Sequence, residues 1–114
     1  MSAFNHLSDK NSDTITLDDY LIPRKEASYL MRVKGNSMKD AGIIDGDMVI
    51  VERTDAARPG EIVVADIDGE HTLKYYREQH GRPFLEAANS HYSPMYPKDH
   101  LNVEGVVRSV IRKY

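Results

Sequence analysis

Two residues of this chain have the type and setting for nucleophilic chemistry: Ser37 and, 37 positions later, Lys74. Ser37 lies in Gly35-Asn36-Ser37-Met38-Lys39-Asp40, on a corner between a strand-like run and the acidic turn Gly42-Ile-Ile-Asp45-Gly46-Asp47. Lys74 lies in a second strand-like run, Glu70-His-Thr-Leu-Lys-Tyr-Tyr76. A serine hydroxyl is a weak nucleophile unless a neighbouring base takes its proton. A lysine amine held close to neutrality is such a base.

Lys74 acquires that setting from a hairpin. Asp68-Gly69 separates two β-rich runs by two residues, the signature of a type I′ turn. With that loop, Ile67 pairs with Glu70, Ala65 with Thr72 and Val63 with Lys74, so Lys74 shares a face with Val63, Ala65, Thr72 and Tyr76. The other face carries Ile62, Val64, Leu73 and Tyr75, so both sides of the hairpin are apolar. Burial there disfavours the ammonium and lowers the lysine pKa. The bland readings stand beside this one. A lone lysine in a strand is ordinarily a snorkelling or edge residue, and a serine before a turn is ordinarily a cap or turn former.

The elements that must hold the two residues are strands. Candidates are Tyr29–Val33, Met48–Glu52, Glu61–Ile67, Glu70–Tyr76, Phe84–Ala87 and Leu101–Ile111, with breaks at Asp45-Gly46-Asp47, Pro59-Gly60, Asp68-Gly69 and Gly81-Arg-Pro83. Thr16–Ile22 reads as a short helical turn that Pro23 stops. Residues 1–15 read as a flexible polar arm and residues 16–114 as one mostly β domain. A chain of 114 residues is of a size to bury its own core.

Composition narrows the function classes. The formal charge is −3 and no basic run stands out, which argues against a general nucleic-acid binder. With no cysteine there is neither a disulfide framework nor a thiolate, which suits a reducing cytoplasm. No apolar run is long enough to span a bilayer, and the N-terminus lacks the basic and apolar regions of a signal peptide. The five histidines (His6, His71, His80, His91, His100) have no zinc-ligand spacing, so neither metal nor cofactor is expected. Alternation puts His71 on the face opposite Lys74, a structural position. The chain has no Ser-x-x-Lys, Gly-x-Ser-x-Gly or phosphate-loop pattern.

Taken together the segments resemble the LexA/UmuD-type Ser-Lys peptidases, self-cleaving proteins of the bacterial SOS response and of phage repressors. The likeness runs through Tyr29-Leu-Met-Arg-Val-Lys-Gly-Asn-Ser-Met38 and Asp40-Ala-Gly-Ile-Ile-Asp-Gly-Asp-Met-Val-Ile-Val51. It continues through Pro59-Gly-Glu-Ile-Val-Val-Ala65, Asp68-Gly-Glu-His-Thr-Leu-Lys74, Asn89-Ser-His-Tyr-Ser-Pro94 and Val103-Glu-Gly-Val-Val-Arg-Ser-Val-Ile111. It implies a compact catalytic domain of short twisted strands, with Ser37 as nucleophile and Lys74 as general base. It implies an oxyanion hole from backbone N–H groups at the corner, those of Asn36 and Ser37. Met38 looks like part of the family's Ser-Met signature, with packing as its task, and Asp45-Gly46-Asp47 shapes the turn behind the nucleophile.

Family members cut themselves at an Ala-Gly or Cys-Gly bond upstream of this domain, and no such dipeptide precedes Ser37; Ala41-Gly42 lies in the turn after it. The leader Thr16–Ile22 resembles the UmuD branch. The expectation is therefore a processed UmuD-like protein whose substrate strand is gone: a cytoplasmic homodimer that joins a translesion DNA polymerase in SOS mutagenesis and meets the RecA filament. The alternative is the C-terminal cleavage and dimerisation domain of a LexA-like or phage repressor.

Overall fold

The computed structural model describes residues 14–114, so most of the arm expected over residues 1–15 lies outside the described residues. Helix α1 (Leu17–Leu21) comes first. The Thr16 hydroxyl caps it by accepting from the Asp19 amide at 3.0 Å, satisfying one of the donors a helix start leaves open. The Ser109 hydroxyl donates to Leu21 O at 3.2 Å and ties this turn to the sheet.

Six strands follow: β1 (Ser28–Arg32), β2 (Met48–Arg53), β3 (Ile62–Ile67), β4 (Glu70–Gln79), β5 (Arg82–Glu86) and β6 (Leu101–Ile111). They form one sheet in the order β1-β2-β6-β3-β4-β5, with every neighbouring pair antiparallel. The mostly β expectation holds. The boundaries of β6 match the sequence reading, and most others shift by a residue or two.

The larger departure is at Gly81-Arg-Pro83, expected as a break. β4 runs on to Gln79, and β5 begins at Arg82. The turn is His80-Gly81, with φ of 54° and 75°, so a second tight hairpin stands where a loop was expected. Pro83 is tolerated because β5 is an edge strand and needs no amide there.

Long strand β6 divides its partners. Its first half pairs with β3 and its second half with β2, so it joins the two halves of the sheet. Gly105 stands at the junction, opposite both Arg53 and Val64. A Cβ there would overlap Val51 Cγ1 and stand 3.0 Å from the Glu52 carbonyl oxygen. Gly105→Ala is therefore expected to destabilise the fold by about 1–3 kcal/mol through overpacking. Urea unfolding checks this, and an unchanged midpoint would refute the close-approach argument.

Strand alternation gives the sheet two cores. Val49, Val51 and Val64 join Val33, Met38 and Ile43 in one cluster, while Val63, Ala65, Ile67, Leu85 and Val106 form the other. The serine corner thus folds over the first core and contributes Met38 to it.

Candidate active site

The Asp68-Gly69 turn has both residues at positive φ, 51° and 91°, as a type I′ hairpin requires. The register that results is the expected one, with Val63 opposite Lys74 and Ala65 opposite Thr72. Lys74 is 8% exposed, deep for a lysine. Burial pushes its amine below the ordinary lysine range, against the smaller opposing pull of the Glu70 charge. Its Nζ donates to Thr72 Oγ1, two residues along the same face. The snorkelling alternative does not describe this side chain.

Ser37 follows β1 in a turn that leads into the 3₁₀ segment Lys39–Ala41. Four contacts hold that turn. The Gly35 amide donates to Asp45 Oδ1 at 2.6 Å, and the Asp45 amide donates to Asn36 Oδ1 at 3.1 Å. Asn89 Nδ2 donates to Asn36 O at 2.9 Å, and the Asp40 amide to Ala88 O at 2.8 Å. The acidic turn and the segment around Asn89 grip the corner from two sides. Gly35, at φ 81°, supplies a left-handed step just before it.

The fold brings the two expected residues to one place. Ser37 and Lys74 line a single cavity of about 240 Å³, together with Val33, Met38, Thr72 and Leu73. Ser37 is half-buried. Among the described residues its hydroxyl has no hydrogen-bond partner, and the amides of Asn36 and Ser37 donate to no protein acceptor. Two unspent N–H donors beside a hydroxyl are the elements an oxyanion site needs. One wall of the cavity is β4 before Tyr75, where β4 pairs with β3 but not with β5. Among the described residues no strand pairs with that edge, and an unpaired strand edge can receive an extended peptide.

His71 also borders the cavity, but its Nδ1 lies 3.0 Å from Glu104 Oε1 and so is engaged away from Lys74. Thr72 and Asn89 are the site-building residues that the sequence reading gave no role. Thr72 had a local signal, since a hydroxyl two residues from a strand lysine shares its face. Asn89 had no local signal, because its contact spans 53 positions; only the family likeness of its segment marked it. No group of histidines and acids among the described residues could hold a metal ion, and no helix among them is long and apolar enough to cross a membrane.

A peptidase S24-like family model matches residues 3–108. The chain belongs to that family. It is 39% identical over 92 residues to a LexA repressor of Shewanella piezotolerans, a match covering 78% of this chain and 45% of the relative. It is 44% identical over 88 residues to a LexA repressor of Novosphingobium aromaticivorans, covering 75% of this chain and 38% of that protein. The chain thus spans less than half the length of these curated relatives. Both carry the repressor name, so the comparison favours the LexA-like alternative over the UmuD-like expectation.

Proposed function

We propose that this chain is the Ser-Lys self-cleaving peptidase domain of a LexA-like protein of the SOS response. The observation that carries the reading is the shared cavity: a half-buried serine without a partner among the described residues and a buried, pKa-depressed lysine, from segments far apart in sequence. The chemistry follows from the two groups. Neutral Lys74 Nζ takes the Ser37 proton as Oγ attacks the carbonyl carbon of the scissile peptide. The amides of Asn36 and Ser37 stabilise the oxyanion of the tetrahedral intermediate. Lys74 then passes its proton to the departing amine, which leaves an ester on Ser37. Water attacks that ester, again giving its proton to Lys74, and the acid is released with the Ser37 hydroxyl restored.

The substrate is an extended small-residue-Gly segment, Ala-Gly or Cys-Gly by family likeness, laid along the free edge of β4. Homodimerisation and stimulation by a RecA filament accompany the LexA-like reading. A translesion polymerase as partner belongs to the accessory-subunit reading, which rests on the likeness of Thr16–Ile22 to that branch.

Because Lys74 must be neutral to act, cutting of an Ala-Gly peptide is expected to rise with pH and then level off. Burial places the midpoint below the ordinary lysine value of about 10.4. A pH–rate profile measures this. A flat profile between roughly pH 6 and 10 would remove Lys74 as the base.

A further inference from the structure

A residue distant in sequence reaches the turn behind the serine corner, because Ile111 pairs with Met48 and Met48 with Arg32 at one end of the sheet. Arg112 directly follows β6, and its Nε and Nη2 donate to the two oxygens of Asp47 at 2.7 and 2.8 Å. Its Nη2 also donates to Gly42 O at 2.9 Å. A two-pronged guanidinium–carboxylate pair fixes direction as well as distance, which a lysine does not do.

Asp47 is the hub of the turn. Its side chain is 2% exposed, and its Oδ2 also accepts the Ile44 amide at 2.9 Å. Its carbonyl oxygen accepts the Val33 amide at 2.8 Å, while the Gly46 amide donates to Val33 O at 2.9 Å. The same turn carries Asp45, whose oxygen and amide hold Gly35 and Asn36. Arg112 is thus hydrogen-bonded to Asp47, Asp47 is joined to Asp45 through the backbone of the turn, and Asp45 is hydrogen-bonded to Gly35 and to Asn36, the residue before Ser37. Neither Arg112 nor Asp47 lines the catalytic cavity.

We infer that Arg112 is a positioning residue for the peptidase: clamped on Asp47 and Gly42, it sets where Ser37 and the two corner amides stand. Without it the buried Asp47 carboxylate keeps one amide but loses its cation, and an unpaired buried charge must be relieved by moving the turn. Hydrogen bonds to Arg112 hold the Asp47 carboxyl down at about 2, so the clamp is ionised wherever Lys74 titrates. A displacement of about 1 Å at a reacting group costs on the order of 100-fold in rate.

The inference rests on the peptidase reading, and its test separates the two. Cutting of an Ala-Gly peptide is measured for the wild type and for Arg112→Ala, Arg112→Lys, Arg108→Ala and Ser37→Ala, below the melting temperature of each. Arg112→Ala is expected to lower kcat by about 10- to 100-fold with KM within about twofold, since the reacting atoms move and the β4 edge does not. Millimolar guanidinium is expected to restore part of that loss in Arg112→Ala and in no other variant. Arg112→Lys, which keeps the charge and loses the fork, should fall between Arg112→Ala and wild type, and it carries the test if Arg112→Ala does not fold. Arg108 pairs with Glu52 and Glu61 away from the corner, so Arg108→Ala should retain wild-type kcat. Wild-type kcat in Arg112→Ala or Arg112→Lys, or an equal loss in Arg108→Ala, overturns the inference and leaves the peptidase reading standing. Cutting that survives in Ser37→Ala overturns both.

Discussion

Ser37→Ala and Lys74→Ala should each reduce cutting of an Ala-Gly peptide to background, a loss of at least about 1,000-fold. The two effects should match and not add, because nucleophile and base act as one unit. Without Oγ no acyl group can form, and without the Lys74 amine the hydroxyl proton has nowhere to go. The residual rate measures what the corner amides and the groove contribute alone. Lys74→Arg should be as inactive as Lys74→Ala, because a guanidinium does not give up its proton at any working pH. Lys74→Ala removes a buried amine that already carries a desolvation cost, so the fold should survive it. Product formation followed by mass spectrometry, with circular dichroism to confirm folding, decides the matter. Unchanged cutting in both alanine variants would eliminate the dyad.

The site was legible where local rules act over short distances. Asp68-Gly69 dictated a two-residue hairpin, the hairpin dictated the register, and the register set Lys74 opposite Val63 on an apolar face. The sequence could equally place Ser37 on a corner, because Gly35 and the Asp45-Gly46-Asp47 turn bracket it. It could not place the corner over the hairpin by physics alone. That step needs the order of strands, in which β6 crosses between β2 and β3, and family likeness supplied it.

What stayed hidden follows the same division. The sequence does not signal the His80-Gly81 hairpin, because His-Gly is not among the dipeptides that mark a two-residue turn, and Pro83 reads as a strand breaker until β5 is known to be an edge. Asp47 was read as turn chemistry, and it does accept the Ile44 amide. Its other role, receiving Arg112 from 65 positions away, leaves no periodicity or spacing to find. Thr72 lies between these cases, visible as a neighbour of Lys74 but given meaning only by burial of the amine.

Met38→Ala should cost about 2–5 kcal/mol in unfolding free energy, the range for truncating a fully buried long side chain. Met38 is 1% exposed and belongs to the core formed with Val33, Ile43, Val49, Val51, Val64 and Ala88. It is also attached to the chain at both ends. Its carbonyl oxygen accepts the Ala41 and Ile43 amides at 3.0 and 3.2 Å, and its Sδ accepts the Ala88 amide at 3.4 Å. Truncation therefore empties a core position directly under the serine and leaves the Ala88 amide unanswered. Met38→Leu keeps the volume and loses only the sulfur contact, so it should cost less than about 1.5 kcal/mol. Urea unfolding at constant m-value tests the pair. A loss below about 1 kcal/mol in Met38→Ala would mean that the corner is held by its hydrogen bonds and not by the core. The expected result joins stability to chemistry at one peptide bond, since the residue anchored in the core is the immediate neighbour of the proposed nucleophile.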